Sequence, residues 1–283
     1  MRAAQNLAVD AKALVKTYEG GVEAVRGISL QIPAGSVFGL VGPNGAGKST
    51  VVRMLTTLCA PTSGTATVAG HDVVREPAAV RRAIGCVAQE SGADVQATGR
   101  ENLMLQGRVH GLRRGRELSL QALELLERFA LTDVADRLVK TYSASMKRKL
   151  DVAMGLVHQP RVLFLDEPTT GLDPEARAEM REQIKELAWD RGLTILLTTH
   201  CLEEADQLAQ RLAIIDKGRV VFEGTPDDGR EQSAPPSGRR ISGILPQHHR
   251  CHAGGQGSPL TPAVDLNATV PRVLTCLPDR VIT

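Results

Sequence analysis

The stretch GPNGAGKST, residues 42–50, is a glycine-rich run followed at once by a lysine and a hydroxyl. Gly42, Gly45 and Gly47 let backbone N–H groups turn inward on phosphate oxygens, where a side chain would obstruct the approach. Lys48 is spaced to reach the β- and γ-phosphates of a nucleoside triphosphate, and the Ser49 hydroxyl to ligate Mg²⁺. Pro43, Asn44, Ala46 and Thr50 complete the expected phosphate-binding set. A second constellation is VLFLDEP, residues 162–168. Its apolar run predicts a buried strand with Asp166 at the C-terminal end. In a parallel sheet that end lies near the phosphate loop, so the carboxylate can hold Mg²⁺ through water. Glu167 next to it is placed to orient or activate an attacking water.

A third stretch, YSASMKRKLDVAMGLVHQP (142–160), poses an electrostatic question. From Leu150 on it has helical spacing, with Leu150, Ala153, Met154 and Val157 on one face. Its first turn carries Lys147, Arg148 and Lys149, cations at the end where the helix dipole is already positive. Ser143 and Ser145 stand just upstream as capping residues. Such a start either faces solvent or binds an anion.

The elements that must position these residues follow from the apolar pattern. SVFGLVG (36–42), AIGCVAQ (83–89), RVLFLDE (161–167) and LTILLTTH (193–200) read as buried strands alternating with helical segments, which predicts an α/β domain with a largely parallel sheet. The phosphate loop follows the first of these strands and opens the helix KSTVVRMLTTL. RLAIIDKGRVVFEG (211–224) predicts a hairpin turning at Lys217–Gly218. Residues 92–158 differ, being mostly helical. There TGRE (98–101) forms a capping box from Thr98 and Glu101. A following helix places Leu118, Ala122, Leu125, Leu126 and Phe129 on one face, so this region reads as a helical subdomain inserted into the α/β core.

After Gly224 the chain becomes rich in Pro, Gly and Ser without sustained periodicity, so residues 225–283 are expected to form a mostly disordered tail. His248, His249, Cys251 and His252 could ligate a metal, but they are crowded and lack a second ligand pair, so no metal site is assigned to them. The abrupt change of character also suggests an altered gene end, which sequencing of the locus would test.

The whole chain is 283 residues, 42% hydrophobic and 23% charged, the composition of a soluble globular protein. A net charge of +2 gives no support for a general nucleic-acid or anionic-membrane binder. Five cysteines without a CxxC pair read as free thiols in a reducing cytosol. No signal peptide and no apolar stretch long enough to span a bilayer is evident, so a membrane role would fall to a partner.

Taken in order, the phosphate loop, Gln89 at the end of IGCVAQ, the 142–146 turn, VLFLDEPTTGLDP and His200 ending ILLTTH resemble the nucleotide-binding subunit of ATP-binding cassette (ABC) transporters. The likeness runs from about Leu7 to Gly224. ATGRENLMLQGRVHGL and RKLDVAMGLVHQPRVLFLDEPTTGLDP look most like the drug-export branch typified by daunorubicin-resistance ATPases. The resemblance implies a P-loop NTPase (RecA-like) core with an antiparallel β subdomain, residues 1–224 forming the nucleotide-binding domain. It implies that Tyr18, in VKTYEG, stacks on adenine. Gln89 would contact Mg²⁺ or water and sense the membrane partner, His200 would hydrogen-bond the γ-phosphate, and Asp173 would lie at a dimer seam. Ser143, Ala144, Ser145 and Met146 would grip the γ-phosphate of an ATP held by a second cassette, and the cationic helix start would share that anion. ATP and Mg²⁺ are the implied cofactors. The implied partners are an integral membrane permease and a second nucleotide-binding subunit, at the cytoplasmic face of the membrane, with no nucleic acid.

The sequence departs from the family within the turn itself. Ser-Gly-Gly is replaced by Ser143-Ala144-Ser145. If either glycine position needs positive φ or close backbone approach, a Cβ there costs on the order of 1 kcal/mol or more. ATP binding is therefore expected to be sound and hydrolysis weakened. Two function classes follow: the ATPase subunit of an exporter of hydrophobic or amphiphilic compounds, and a degenerate cassette that binds ATP as a regulatory or interaction protein. A P-loop GTPase is set aside because no N-K-x-D guanine motif occurs. Cassettes of DNA repair or translation are set aside because neither a paired cassette nor a long insertion is present.

Overall fold

Strands that alternate buried and exposed residues and strands that are mostly buried apolar runs build two different sheets. The computed structural model describes residues 6–113 and 115–231. Strands β1 (Leu7–Thr17) and β2 (Glu23–Pro33) form an antiparallel ribbon, after which β3 (Val37–Val41) leads through the phosphate loop into helix α1 (Lys48–Leu55). Next come β4 (Ser63–Val68), β5 (His71–Asp72), α2 (Pro77–Ala83) and β6 (Ile84–Val87). The first sheet runs β2-β1-β4-β5 and is antiparallel throughout, as the resemblance implies for a β subdomain.

The helical region follows: α3 (Gly99–Val109), α4 (Arg116–Arg128), two 3₁₀ turns at Thr132–Val134 and Val139–Thr141, and α5 (Ala144–Leu156). The Thr98–Glu101 capping box forms as expected, each side chain accepting from the other residue's backbone N–H. Leu118, Ala122, Leu125, Leu126 and Phe129 are all buried.

The chain then returns to the α/β core with β7 (Val162–Asp166), α6 (Pro174–Arg191), β8 (Thr194–Thr199), α7 (Leu202–Leu208), β9 (Arg211–Asp216), β10 (Arg219–Gly224) and α8 (Pro226–Glu231). The second sheet runs β10-β9-β3-β8-β7-β6, parallel except for the β9–β10 hairpin, whose turn is Lys217–Gly218 as read from the sequence. Both residues of that turn have positive φ, 47° and 77°, which suits the twist of a two-residue hairpin.

The parallel strands are buried on both faces, which explains their unbroken apolar character. Leu163, Leu165, Ile195 and Leu197 face a core shared with α3–α6, while Val162, Phe164 and Leu196 face one shared with α1 and the antiparallel sheet. On α6, Met180, Ile184 and Leu187 supply a helical stripe to the first core, whereas Trp189 near its end is 90% exposed.

Helix α5 begins at Ala144, with Ser143, one of the two expected capping residues, at its N-cap, whereas Ser145 lies inside the first turn. The segment after Gly224 opens with a short helix. Thr225 and Asp228 cap one another (Thr225 N–H to Asp228 Oδ2, 2.8 Å; Asp228 N–H to Thr225 Oγ1, 3.2 Å) at the start of α8. The remainder of the expected tail, including the His248–His252 cluster, lies outside the described residues. Among the described residues no helix is long and apolar enough to cross a membrane.

Candidate nucleotide and hydrolysis site

Four loops leave the carboxyl ends of four adjacent parallel strands: the phosphate loop from β3, the Gln89 segment from β6, Glu167 from β7 and His200 from β8. That end of a parallel sheet is where ligands settle in open α/β folds. The loops enclose a cleft of about 360 Å³, lined by Ala24, Asn44, Gly45, Gly47, Lys48, Ser49, Thr50, Gln89 and Glu167.

The phosphate loop requires its glycines for distinct reasons. A Cβ on Gly42 would meet the Ile215 carbonyl oxygen at 2.2 Å, so this glycine allows the loop to lie against β9. Gly47 has φ of 106° and the Ala24 carbonyl oxygen would sit 2.5 Å from its Cβ, so both conformation and space demand glycine. It is also the residue preceding α1, whose free N–H groups and dipole favour a phosphate there.

Lys48 is buried and donates to the carbonyls of Gly42 (2.8 Å) and Pro43 (3.2 Å), with Glu167 Oε1 at 3.6 Å. Burial lowers its pKa, and the neighbouring Glu167 and Asp166 oppose that shift. Ser49 Oγ donates to Asp166 Oδ1 at 3.3 Å, an oxygen that also accepts from Thr198 Oγ1. The Ser49 hydroxyl, the Asp166 carboxylate and the Gln89 amide are hard oxygen donors, the chemistry that fits Mg²⁺, and Ser49 and Gln89 both line the cleft. Glu167 is the hub. Its Oε2 accepts from Thr170 Oγ1 at 2.9 Å and lies 3.3 Å from His200 Nδ1. Its backbone has φ of 49°, a left-handed conformation that costs a glutamate on the order of 1 kcal/mol or more. The N–H is held there by Thr198, donating to its carbonyl (3.2 Å) and its Oγ1 (3.0 Å).

Other residues named from the sequence lie elsewhere. Tyr18 follows β1, half-buried, with Lys16 Nζ 5.3 Å above its ring, and does not line the cleft. Asp173 is exposed and caps α6 by accepting from Ala176 N–H at 2.9 Å. Ser143 caps α5 by accepting from Met146 N–H at 3.1 Å; none of Ser143, Ala144, Ser145 or Met146 lines the cleft of its own chain. Ala144 and Ser145 are ordinary helical residues, neither with positive φ, so the backbone part of the expected penalty does not arise.

The cationic run also needs correction. Arg148 turns inward, and Lys149 is buried and paired with Glu179 at 2.6 Å. Of the three, only Lys147 lacks such an internal role among the described contacts, so an anion at the helix start is not met by a triple charge.

The residues that sequence reading missed act through the backbone or other polar groups. Thr198 fixes both Asp166 and Glu167. Glu204, buried on α7, accepts from the Thr169 and Thr199 hydroxyls and so ties the segment after β7 to the end of β8. Asp151, buried on α5, accepts from Ser91 Oγ (2.9 Å) and Gly92 N–H (3.1 Å). Adjacent hydroxyls in the apolar strand TILLTT were an available signal for Thr198 and Thr199; for Arg148 and Glu204 no local pattern exists.

The sequence pattern defining the ABC transporter family matches residues 25–170. The chain is 52% identical over 220 residues to the daunorubicin/doxorubicin resistance ATP-binding protein DrrA of Streptomyces peucetius, across 77% of this chain and 65% of that protein. It is 48% identical over 244 residues to the daunorubicin resistance ATP-binding protein DrrA3 of Streptomyces coeruleorubidus, across 86% and 75% respectively. The chain thus spans only 65% of the first relative's length. Among solved structures, CbiO1 of Clostridium perfringens, part of the ABC transporter complex CbiONQ, superposes with a TM-score of 0.74 at 26% identity, over 80% of this chain and 92% of that one. With a family pattern that covers the phosphate loop, the Glu167 strand and the helices between them, the chain belongs to the ABC transporter family and carries its ATP-binding domain.

Proposed function

We propose that this chain is the ATP-binding and ATP-hydrolysing subunit of an exporter of hydrophobic or amphiphilic, drug-type compounds. It would work at the cytoplasmic face of the membrane, with a separate integral membrane permease and a second nucleotide-binding subunit. Residues 1–224 are the proposed nucleotide-binding domain. The observation that carries the reading is the convergence of Lys48, Glu167 and His200 with the Ser49–Asp166 pair at the carboxyl end of the parallel sheet. The drug-resistance names of the relatives support the export branch.

In this reading the phosphate loop and Lys48 hold the β- and γ-phosphates, and Tyr18 offers a stacking face for adenine. Ser49, Asp166 and Gln89 would hold Mg²⁺, which would supply positive charge against that of the phosphates. Glu167 accepts a proton from the attacking water as its oxygen bonds to the γ-phosphorus and the bond to the β-phosphate oxygen breaks. His200, beside Glu167 Oε2, donates to the γ-phosphate. The Ser143–Met146 turn meets a γ-phosphate across the seam on which Asp173 lies, so a closed pair of cassettes completes two sites.

The test is Mg-ATP-dependent dimerisation of Glu167→Gln, measured by size exclusion with light scattering, beside steady-state hydrolysis by the unaltered chain. Hydrolysis is expected to fall by about 10² to 10⁴ in the variant, and the slowed protein to accumulate as a dimer. A chain that binds Mg-ATP but neither hydrolyses it nor dimerises in either form would remove the motor reading.

A further inference from the structure

Arg148 makes the densest set of hydrogen bonds from one side chain in the described chain, and the mechanism above does not use it. Its guanidinium is buried, with 6% of the residue exposed. Nε donates to the Pro168 carbonyl (2.9 Å) and Nη1 to the Ala88 carbonyl (2.6 Å). Nη2 donates to the carbonyls of Asp166 (2.8 Å) and Glu167 (3.0 Å). Three consecutive peptides at the end of β7 and the residue preceding Gln89 are therefore gathered onto one planar group. The Glu167 peptide is pinned on both sides, since Thr198 holds its N–H and Arg148 its carbonyl. A left-handed glutamate persists only where its surroundings over-determine it, and these two residues do so.

We propose that Arg148 is the positioning residue that holds the Glu167 carboxylate and the Gln89 segment in fixed relation to helix α5. This rests on the ATPase reading of the same site. A guanidinium presents five N–H donors in a rigid fork, whereas an ammonium is a point donor that cannot span carbonyls from two separate loops. Burial works against the charge, and the nearby carboxylates of Asp151, Asp166, Glu204 and Glu167 support it. Arg148 lies five residues beyond the Ser143 cap, about 7 Å along the same helix. A movement of the Ser143–Met146 turn is thereby passed to both Glu167 and Gln89.

The test compares Arg148→Gln and Arg148→Lys with the unaltered full-length chain. Leu150→Ala, which opens the core beside α5 without touching these carbonyls, is the control for lost stability. Amide exchange is followed over residues 86–92 and 164–172, with the KM and kcat of Mg-ATP hydrolysis. Both Arg148 variants are expected to exchange about tenfold faster in both segments, and to lose about 10- to 100-fold in kcat with KM changed less than about twofold. Leu150→Ala is expected to melt lower while keeping both the exchange pattern and kcat. Faster exchange in one segment only, full rescue by lysine, or the same pattern in Leu150→Ala would overturn the proposal. If Arg148→Gln does not fold, Arg148→Lys carries the comparison. A chain without measurable turnover would count against the ATPase reading, and the exchange result would still decide the role of Arg148.

Discussion

Ala144 and Ser145 stand where the family turn has two glycines, yet their backbone is unstrained helix capped by Ser143. Glycine at both positions is therefore expected to weaken the isolated chain, by about 0.5 kcal/mol per site. It should also open the turn to closer approach by a partner's phosphate. The double change Ala144→Gly with Ser145→Gly should lower Tm slightly while raising ATP-dependent dimer formation and turnover. Melting and light scattering on the same samples check this, and movement of both in one direction would count against it. At Gly47 the sign is unambiguous: Gly47→Ala forces a Cβ against the Ala24 carbonyl at positive φ, so a loss of about 2 kcal/mol or more and of Mg-ATP binding is expected in denaturant titration and nucleotide binding. The phosphate loop, Asp166 and Glu167 could be read from the sequence because their chemistry is written in consecutive side chains. Arg148 could not, because its partners are carbonyls 18 to 60 residues away, and a carbonyl has no residue type.

Helix α5 shows both what periodicity reveals and what it hides. The buried face from Leu150 was legible, and all four residues named for it are in the core. The start was marked only by its capping candidates, of which Ser143 takes the role, because a polar first turn leaves no apolar signal. The same helix carries Asp151, whose carboxyl is pushed up from 3.8 to about 6, chiefly by burial, against the hydrogen bond from Ser91 and the charge of Arg148. The folded chain then binds more protons than the unfolded one between about pH 4 and 6, so this group's contribution to stability falls as pH rises through that window and stays low above it. Asp151→Asn keeps an oxygen for Ser91 and Gly92 and removes the charge. Its Tm, relative to the unaltered chain, is expected to be level near pH 4 and higher by a few degrees above pH 6. His110 on the neighbouring α3 terminus slopes the other way. Burial first and then His158, stacked on it at 3.6 Å, lower its pKa to about 4, so protons are taken up by the unfolded chain first and stability declines as pH falls below about 6.5. The two slopes offset each other in the unaltered protein, and Asp151→Asn should expose that of His110 in a Tm–pH series.

At the scale of the molecule, one parallel sheet is the common wall of two cores, and the helical subdomain is built against one of its faces. The buried parallel strands and the helical region between them were legible in the alternation of apolar runs with helical segments, whereas the order of those strands in the sheet was not. A separate antiparallel sheet was expected only from the family resemblance, and its pairing of β1, β2, β4 and β5 came from the structure, since antiparallel edges leave only weak local patterns. The subdomain exposes Leu105 on α3 and Leu120 and Leu123 on α4, which suits the proposed contact with a permease. Leu105→Glu with Leu120→Glu is expected to leave Tm and Mg-ATP binding nearly unchanged and to abolish co-purification with the membrane subunit. Retained co-purification would move the contact elsewhere. Trp189 has a more practical consequence. It is the one tryptophan of the chain and stands 90% exposed on α6, so its emission is expected to resemble that of indole in water. Intrinsic fluorescence will be nearly silent to melting of the two cores, and bright to anything that settles on the outer end of that helix.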